Sequence, residues 1–407
     1  MGTCELLDYA TEGFLAAHDD LRSGQKSRRT IEKCGKVLNL LHNALKDSRQ
    51  LKSPYTLCAI FMLMIAEMWV SESAQSYMSH MQGICTLLHH TIDEPWHDSF
   101  GQDLRYHLIV PACIEAIINP NIPQIDLRYL HILNTRLGCY RPLDKEEGQA
   151  IESLDLPYLM RFSCFTRQPE LHEKEMVREY KRMQIECPFV RRRLMDLTNM
   201  AKATRKTNTA LVRAQIQMGV AYTMILSFTL MINAFISAMD PTSKRLQEEA
   251  LLYAREAIWI TRILSKQLPV GAGFMPAALF AAWVATDDDE VIEGIESTIK
   301  QHKSYWAEPQ YVEHFTTLKK RVGIIRNRRL VELRAGGLRG MDVTAFTTAN
   351  GPEYNPWGRD APFVDTMSLH NGNPRMMISG ASCVPEPESG ALYNWDFNFA
   401  ALAFNHV

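Results

Sequence analysis

An all-α fold is what this sequence predicts: one large domain of packed helix pairs over residues 1–335, then a tail of different character over 336–407. Three observations predict it. Apolar residues recur at helical spacing through most of the first 335 positions, and no segment alternates apolar and polar residues long enough to demand a strand. Several helix ends also carry their own punctuation. With 407 residues, 46% of them hydrophobic, the chain has enough apolar surface to bury a large core.

The helices are expected, in order, over Glu5–Arg22, Arg28–Leu45, Tyr55–Val70, Glu72–Ile92, Leu104–Ile118, Leu127–Arg136, Pro169–Lys202, Thr207–Met239, Ser243–Gln267, Pro276–Ala285, Asp287–Tyr305 and Gln310–Arg334. Most are amphipathic. The third begins at Ser53-Pro54, with proline in the first turn, where its missing N–H costs nothing. Asp240-Pro241 closes the eighth, and Ser243, with Glu248 nearby, opens the ninth. No internal repeat of fixed period is present, so a strict solenoid is not expected, while stacked helix pairs remain compatible with the pattern. The stretch Gln215–Met239 contains no charged residue and is long enough to cross a bilayer. It also holds Gln215, Gln217, Ser227, Thr229, Asn233 and Ser237, which fits a central helix enclosed by other helices, so no membrane association is expected.

Charge and cysteine usage narrow the function classes. A formal net charge of −2 gives no global reason to expect nucleic acid or an anionic membrane as partner. The nine cysteines, at 4, 34, 58, 85, 113, 139, 164, 187 and 383, never come as Cys-x-x-Cys. A structural zinc site needs such local pairs to converge on one ion, so no metal is expected, and the scatter along apolar helices reads as reduced core thiols. Early acids and the lack of a basic-then-apolar start argue against a secretory signal. Met-Gly-Thr-Cys does not continue as a myristoylation signal, because Leu6 stands where Ser or Thr is required.

Ionisable residues form few constellations. His89, His90, His97 and His107 gather with Asp93, Glu94 and Asp98, but adjacent histidines diverge by about a hundred degrees on a helix and no ligand register appears. Gly271-Ala-Gly273 lacks the strand and third glycine of a nucleotide fingerprint and reads as a turn. No catalytic residue and no cofactor are therefore assigned. His80 is a single histidine on an inner helix, with Glu67, one helix earlier, as its natural hydrogen-bond partner. Arg191-Arg192-Arg193 has no aromatic interleaving of the nucleic-acid-binding kind. Lys319, Lys320 and Arg321, followed by Arg326, Arg328 and Arg329, form a split basic cluster, read either as a nuclear import signal or as a solvated helix face.

From Gly337 to Val407 there are six prolines, seven glycines and no lysine, with seven acids against three arginines. Such a segment is expected to be disordered, since little apolar burial offsets the entropy of ordering it. Its end differs: Trp395, Asp396, Phe397, Phe399, Leu402 and Phe404 space large apolar groups with an acid among them. That pattern suits docking into a coactivator groove, or a tether packing back onto the helical body.

One pairing of elements carries a family likeness. An apolar helix holding the lone acid Glu67 is followed by Tyr77, then His80, Met81 and Gly83 before a leucine-rich run, and later Pro276 opens a short apolar helix rich in small residues. This order resembles the regulatory domain of fungal zinc-cluster transcription factors, in patches over residues 30 to 330. The six-cysteine DNA-binding module of that family is missing, a shape that resembles secondary-metabolite cluster regulators, such as those of the trichothecene type, that lack it. The resemblance implies a nuclear transcriptional regulator without direct sequence-specific DNA binding. It would act through the transcription machinery or a DNA-binding partner protein, with a homodimer as one possible state. Glu67, Tyr77, His80, Gly83 and Pro276 would then be structural. The alternatives are a pathway enzyme of cyclase or isomerase type, or a non-catalytic effector-binding protein with an apolar pocket in the helical body.

Overall fold

A computed structural model of the chain describes residues 4–70, 74–94, 96, 99–125, 128–129, 151–203, 209–265, 275–302 and 308–334. Among the described residues it is all-α: α1 (Glu5–Ser23), α2 (Arg28–Ala44), α3 (Ser48–Leu51), α4 (Pro54–Val70), α5 (Ala74–His90), α6 (Ser99–Ile118), α7 (Leu156–Arg167), α8 (Glu173–Ala203), α9 (Thr209–Met239), α10 (Lys244–Leu264), α11 (Met275–Ala285), α12 (Asp289–His302) and α13 (Glu308–Arg334). Short 3₁₀ turns at Glu152–Leu154 and Pro169–Leu171 bracket α7. The residues expected as a helix over Leu127–Arg136, and the whole tail from 335 on, lie outside the described residues apart from Arg128 and Tyr129.

Three of the described helices, each poor in charge, organise the packing. α4 and α11 are apolar almost all round, and α9 from Gly219 on turns its few polar residues to neighbouring helices, so each packs among neighbours. α1, α2, α5 and α6 pack around α4; α8, α10, α11 and α13 pack around α9. α6 meets α7, while α13 reaches both α11 and the α5–α6 side, tying the two groups of helices into one body. The charge-free stretch lies in α9, which is buried from Gly219 to Met239. Gly219 permits its close approach to α10, since a Cβ there would stand 2.5 Å from a Leu264 methyl.

Local chemistry sets the joints. α1 ends at Gly24 in the left-handed region (φ 67°), and Asp20 Oδ2 accepts the Ser27 N–H at 2.7 Å while Ser27 Oγ caps α2 by accepting the Thr30 N–H. Burial alone would raise the Asp20 carboxyl; the hydrogen bonds from Ser27 and Thr30 outweigh it and leave the group below its ordinary value. Pro111 and Pro188 sit inside α6 and α8, which continue through them.

The stretch leading into α8 differs from expectation. Sequence periodicity starts a helix at Pro169, but the chain makes a 3₁₀ turn there and α8 begins at Glu173. Extended φ at Gln168 (−138°) interrupts the helical path between α7 and that turn. α7 itself was not anticipated.

Candidate functional site

Glu67, on the last turn of α4, and His80, on α5, are brought together: His80 Nε2 lies 3.1 Å from Glu67 Oε2, with both side chains only 14% exposed. A half-buried carboxylate–imidazole hydrogen bond thus bridges two consecutive helices. It stands close to Cys34 of α2, whose thiol is pushed up to about 11, chiefly by burial and further by the Glu67 charge. Beside the same helix end, Trp69 packs on Phe14 at 5.1 Å and on His18 at 5.9 Å. The arrangement fastens α4 to α1 and α5.

Other residues of the motif divide. Pro276 is buried in the first turn of α11. Tyr77 falls on α5, its side chain outside the described residues. Gly83 faces open space: a Cβ there would meet nothing within 4 Å. Gly83→Ala is therefore expected to raise stability by about 0.5–1 kcal/mol through helix propensity. The urea midpoint at unchanged m-value measures it; a loss of stability would mean that a neighbour packs against this position.

The basic cluster on α13 is largely spent inside the molecule. Lys319 Nζ donates to the Trp283 carbonyl at 2.7 Å and the Thr286 carbonyl at 3.3 Å, neutralising the C-terminal end of α11, and lies over the Trp283 ring. Burial pulls its ammonium below the ordinary value. Arg321 performs the same task for α7, donating to the carbonyls of Thr166 (2.6 Å) and Arg167. Arg326 pairs with Asp287, Arg328 with Glu170 and Arg329 with Glu332 at 2.9 Å. Lys320 is exposed. The terminal motif from Trp395 through Asp396, Phe397, Phe399 and Leu402 to Phe404 lies outside the described residues.

A polar seam that the sequence reading did not assign runs along α9. Gln215, Tyr222, Thr229 and Asn233 recur at intervals of seven, seven and four, one face of the helix. Gln215 Nε2 donates to Thr198 Oγ1 at 3.1 Å, Thr229 Oγ1 lies 3.3 Å from Cys187 Sγ, and Asn233 Nδ2 donates to Tyr180 Oη at 2.8 Å. Because α9 numbers rise as α8 numbers fall, the two helices run antiparallel. α10 completes the seam: Tyr180 donates to Glu249 at 2.8 Å, while Tyr222 (3.0 Å) and Arg191 (2.6 Å) both donate to Glu256 Oε1. Burial raises the Glu256 carboxyl, and the Arg191 charge and the two hydrogen bonds offset this only in part. Glu186, raised by burial too, accepts the backbone N–H groups of Glu152 and Ser153 and so starts the turn before α7. The seam joins helices; its acids all face protein donors.

A cleft of about 220 Å³ opens beside α5, lined by Cys85, Leu88, His89, Gln124 and Tyr129 among others. It is smaller than the roughly 300–1,000 Å³ of typical ligand pockets. Burial pushes the Cys85 thiol up to about 12, the Tyr129 hydroxyl donates to the Leu88 carbonyl, and Gln124 Nε2 donates to Cys164 Sγ at 3.4 Å. His89 and His90 are exposed at the end of α5; His97 and Asp98 lie outside the described residues. Among the described residues, no group of three or more His, Cys, Asp or Glu side chains is placed to hold a metal ion. Comparison with protein-family models, with curated proteins and with solved structures returns no match to this chain.

Proposed function

We propose that this chain is a transcriptional regulator of a fungal secondary-metabolite gene cluster, which acts through protein partners and works in the nucleus. The observation that carries the reading is the Glu67–His80 bridge between α4 and α5. Two of the residues on which the family resemblance rests, Glu67 and His80, meet each other and hold two helices together, a structural role that suits a non-catalytic regulatory body. The buried acids support the same reading, since Glu186, Glu249 and Glu256 are committed to backbone, tyrosine and arginine donors that fasten the fold. In this proposal the helical body presents the regulatory surface, and the segment containing Trp395, Phe397 and Phe404 engages the activation machinery or a DNA-bound partner.

The test is a reporter assay with the full chain fused to a heterologous DNA-binding domain. Deletion of residues 391–407 is expected to abolish activation while the thermal unfolding transition of the body stays in place. Unchanged reporter output with the deleted chain overturns the activation role.

A further inference from the structure

We infer that the outward face of α13 is a docking surface, and that its occupant is the acidic, aromatic end of this same chain, Asp396 to Phe404. α13 packs against α5, α6, α9 and α11 and buries His314, Phe315, Leu318, Val322 and Ile325. Lys320, Ile324, Asn327, Val331 and Arg334 follow one another at steps of four, three, four and three, which places them in one strip on the far side of the helix from those five. All of the strip is exposed, and its two apolar members stand well out into solvent, Ile324 at 68% and Val331 at 63%. Leu171, 77% exposed, follows Glu170, the partner of Arg328, and widens the apolar patch on that flank.

Charge, spacing and connection select the occupant. Lys320 and Arg334, at the two ends of the strip, form no ion pair with a described residue, and Glu313, the acid on this face, lies two turns further back. From Met376 to Val407 the chain has no Lys or Arg, against Glu386, Glu388 and Asp396. A second copy of the strip would bring like charges together in either direction, whereas the acidic end is complementary to it. Phe397 and Phe404 are seven apart, as are Ile324 and Val331, and Ala400, Ala401 and Ala403 between them favour two helical turns, so each phenyl ring can meet one branched side chain. The chain leaves α13 at Arg334, one end of the strip, and 61 residues separate it from Asp396. That connection is ample for a strip of about 21 Å and holds the end at an effective concentration on the order of 1 mM. A contact with a dissociation constant of about 100 μM between separate molecules would then be about nine-tenths docked.

A photoactivatable benzophenone amino acid in place of Ala400, on the flank of that contact, tests the docking in the full chain. Irradiation should join position 400 to α13, within residues 317–334, in a product that keeps the 46.5 kDa mass of one chain. Ile324→Glu with Val331→Glu should cut the yield at least tenfold, since it removes the apolar centre and sets acids against acids. Both positions are exposed, so circular dichroism and the unfolding midpoint should match the parent. Lys320→Glu with Arg334→Glu should cut the yield a few-fold through charge alone. Absence of a product, products mapped away from α13, products joining two chains, or a yield indifferent to Ile324→Glu with Val331→Glu overturn the inference. One consequence rests on the regulatory reading: a docked end is withheld from its partner, so Ile324→Glu with Val331→Glu should raise reporter output several-fold. Unchanged output from a variant that has lost the cross-link counts against the regulatory reading and leaves the docking standing.

Discussion

Arg191→Met is expected to destabilise the folded chain by about 3–5 kcal/mol at neutral pH, because it leaves a buried carboxylate without its cation. Glu256 is 6% exposed and Arg191 20%, their closest atoms 2.6 Å apart, and the guanidinium also lies 4.8 Å from the centre of the Trp259 ring. Removing the cation leaves Tyr222 as a donor to the same oxygen, too little to hold a full charge in the core. The cost should depend on pH in a definite sense. Glu256 holds its proton more tightly in the folded chain than its ordinary value of 4.5, so this group favours folding increasingly as pH falls toward 4.5, and opposes it above. Loss of Arg191 raises the carboxyl further and widens that window upward. Urea unfolding at pH 7.5 and pH 5.5 should therefore give a smaller penalty at the lower pH, and Arg191→Met with Glu256→Leu should recover most of the loss. A penalty under 1 kcal/mol, or one independent of pH, would show that the pair is not the buried anchor described here.

The seam to which this pair belongs explains what was legible and what was not. Helix existence was readable wherever one face was apolar, as in α1, α2 and α10, and wherever a helix was mostly apolar, as in α4, α9 and α11. The Glu67–His80 contact was also within reach, because a lone acid on an apolar helix has few partners and His80 is on the next helix. Arg191 was beyond reach. It stands in a run of three arginines on a heavily charged helix, and only the packing of α8 against α10 selects it as the one that meets Glu256, 65 positions away. A signal was nevertheless present on α9, where Gln215, Tyr222, Thr229 and Asn233 mark one face. Read as a polar stripe on a buried helix, it identifies the side that must meet donors and acceptors from α8 and α10. The basic cluster on α13 shows the converse: five of its six cations satisfy helix ends or acids within the fold, a use that charge counting cannot distinguish from a receptor-facing patch.

Phe228→Ala tests the element that the sequence concealed. α7 is twelve residues long, opens on Leu156-Pro157 and mixes aromatics with Ser, Cys and Thr, so no single apolar stripe announces it. Its place in the fold comes from long-range packing. Tyr158, Phe162 and Phe165 form an aromatic cluster with ring centres 5.7–6.4 Å apart, and Phe162 reaches α9 through Phe228 at 4.7 Å. Phe228 is 1% exposed, on a helix enclosed by others, so the surroundings have little freedom to collapse into the space its ring leaves. Phe228→Ala should therefore cost about 3–5 kcal/mol, with Phe228→Leu costing clearly less. If the ring acts through α7, Phe162→Ala in the same background should be less costly than in the wild type, with a coupling of about 0.5–1.5 kcal/mol from the double-mutant cycle. Additive penalties in that cycle would mean that Phe228 fills the core without holding α7, and that the helix is kept in place by its caps from Glu186 and Arg321 instead.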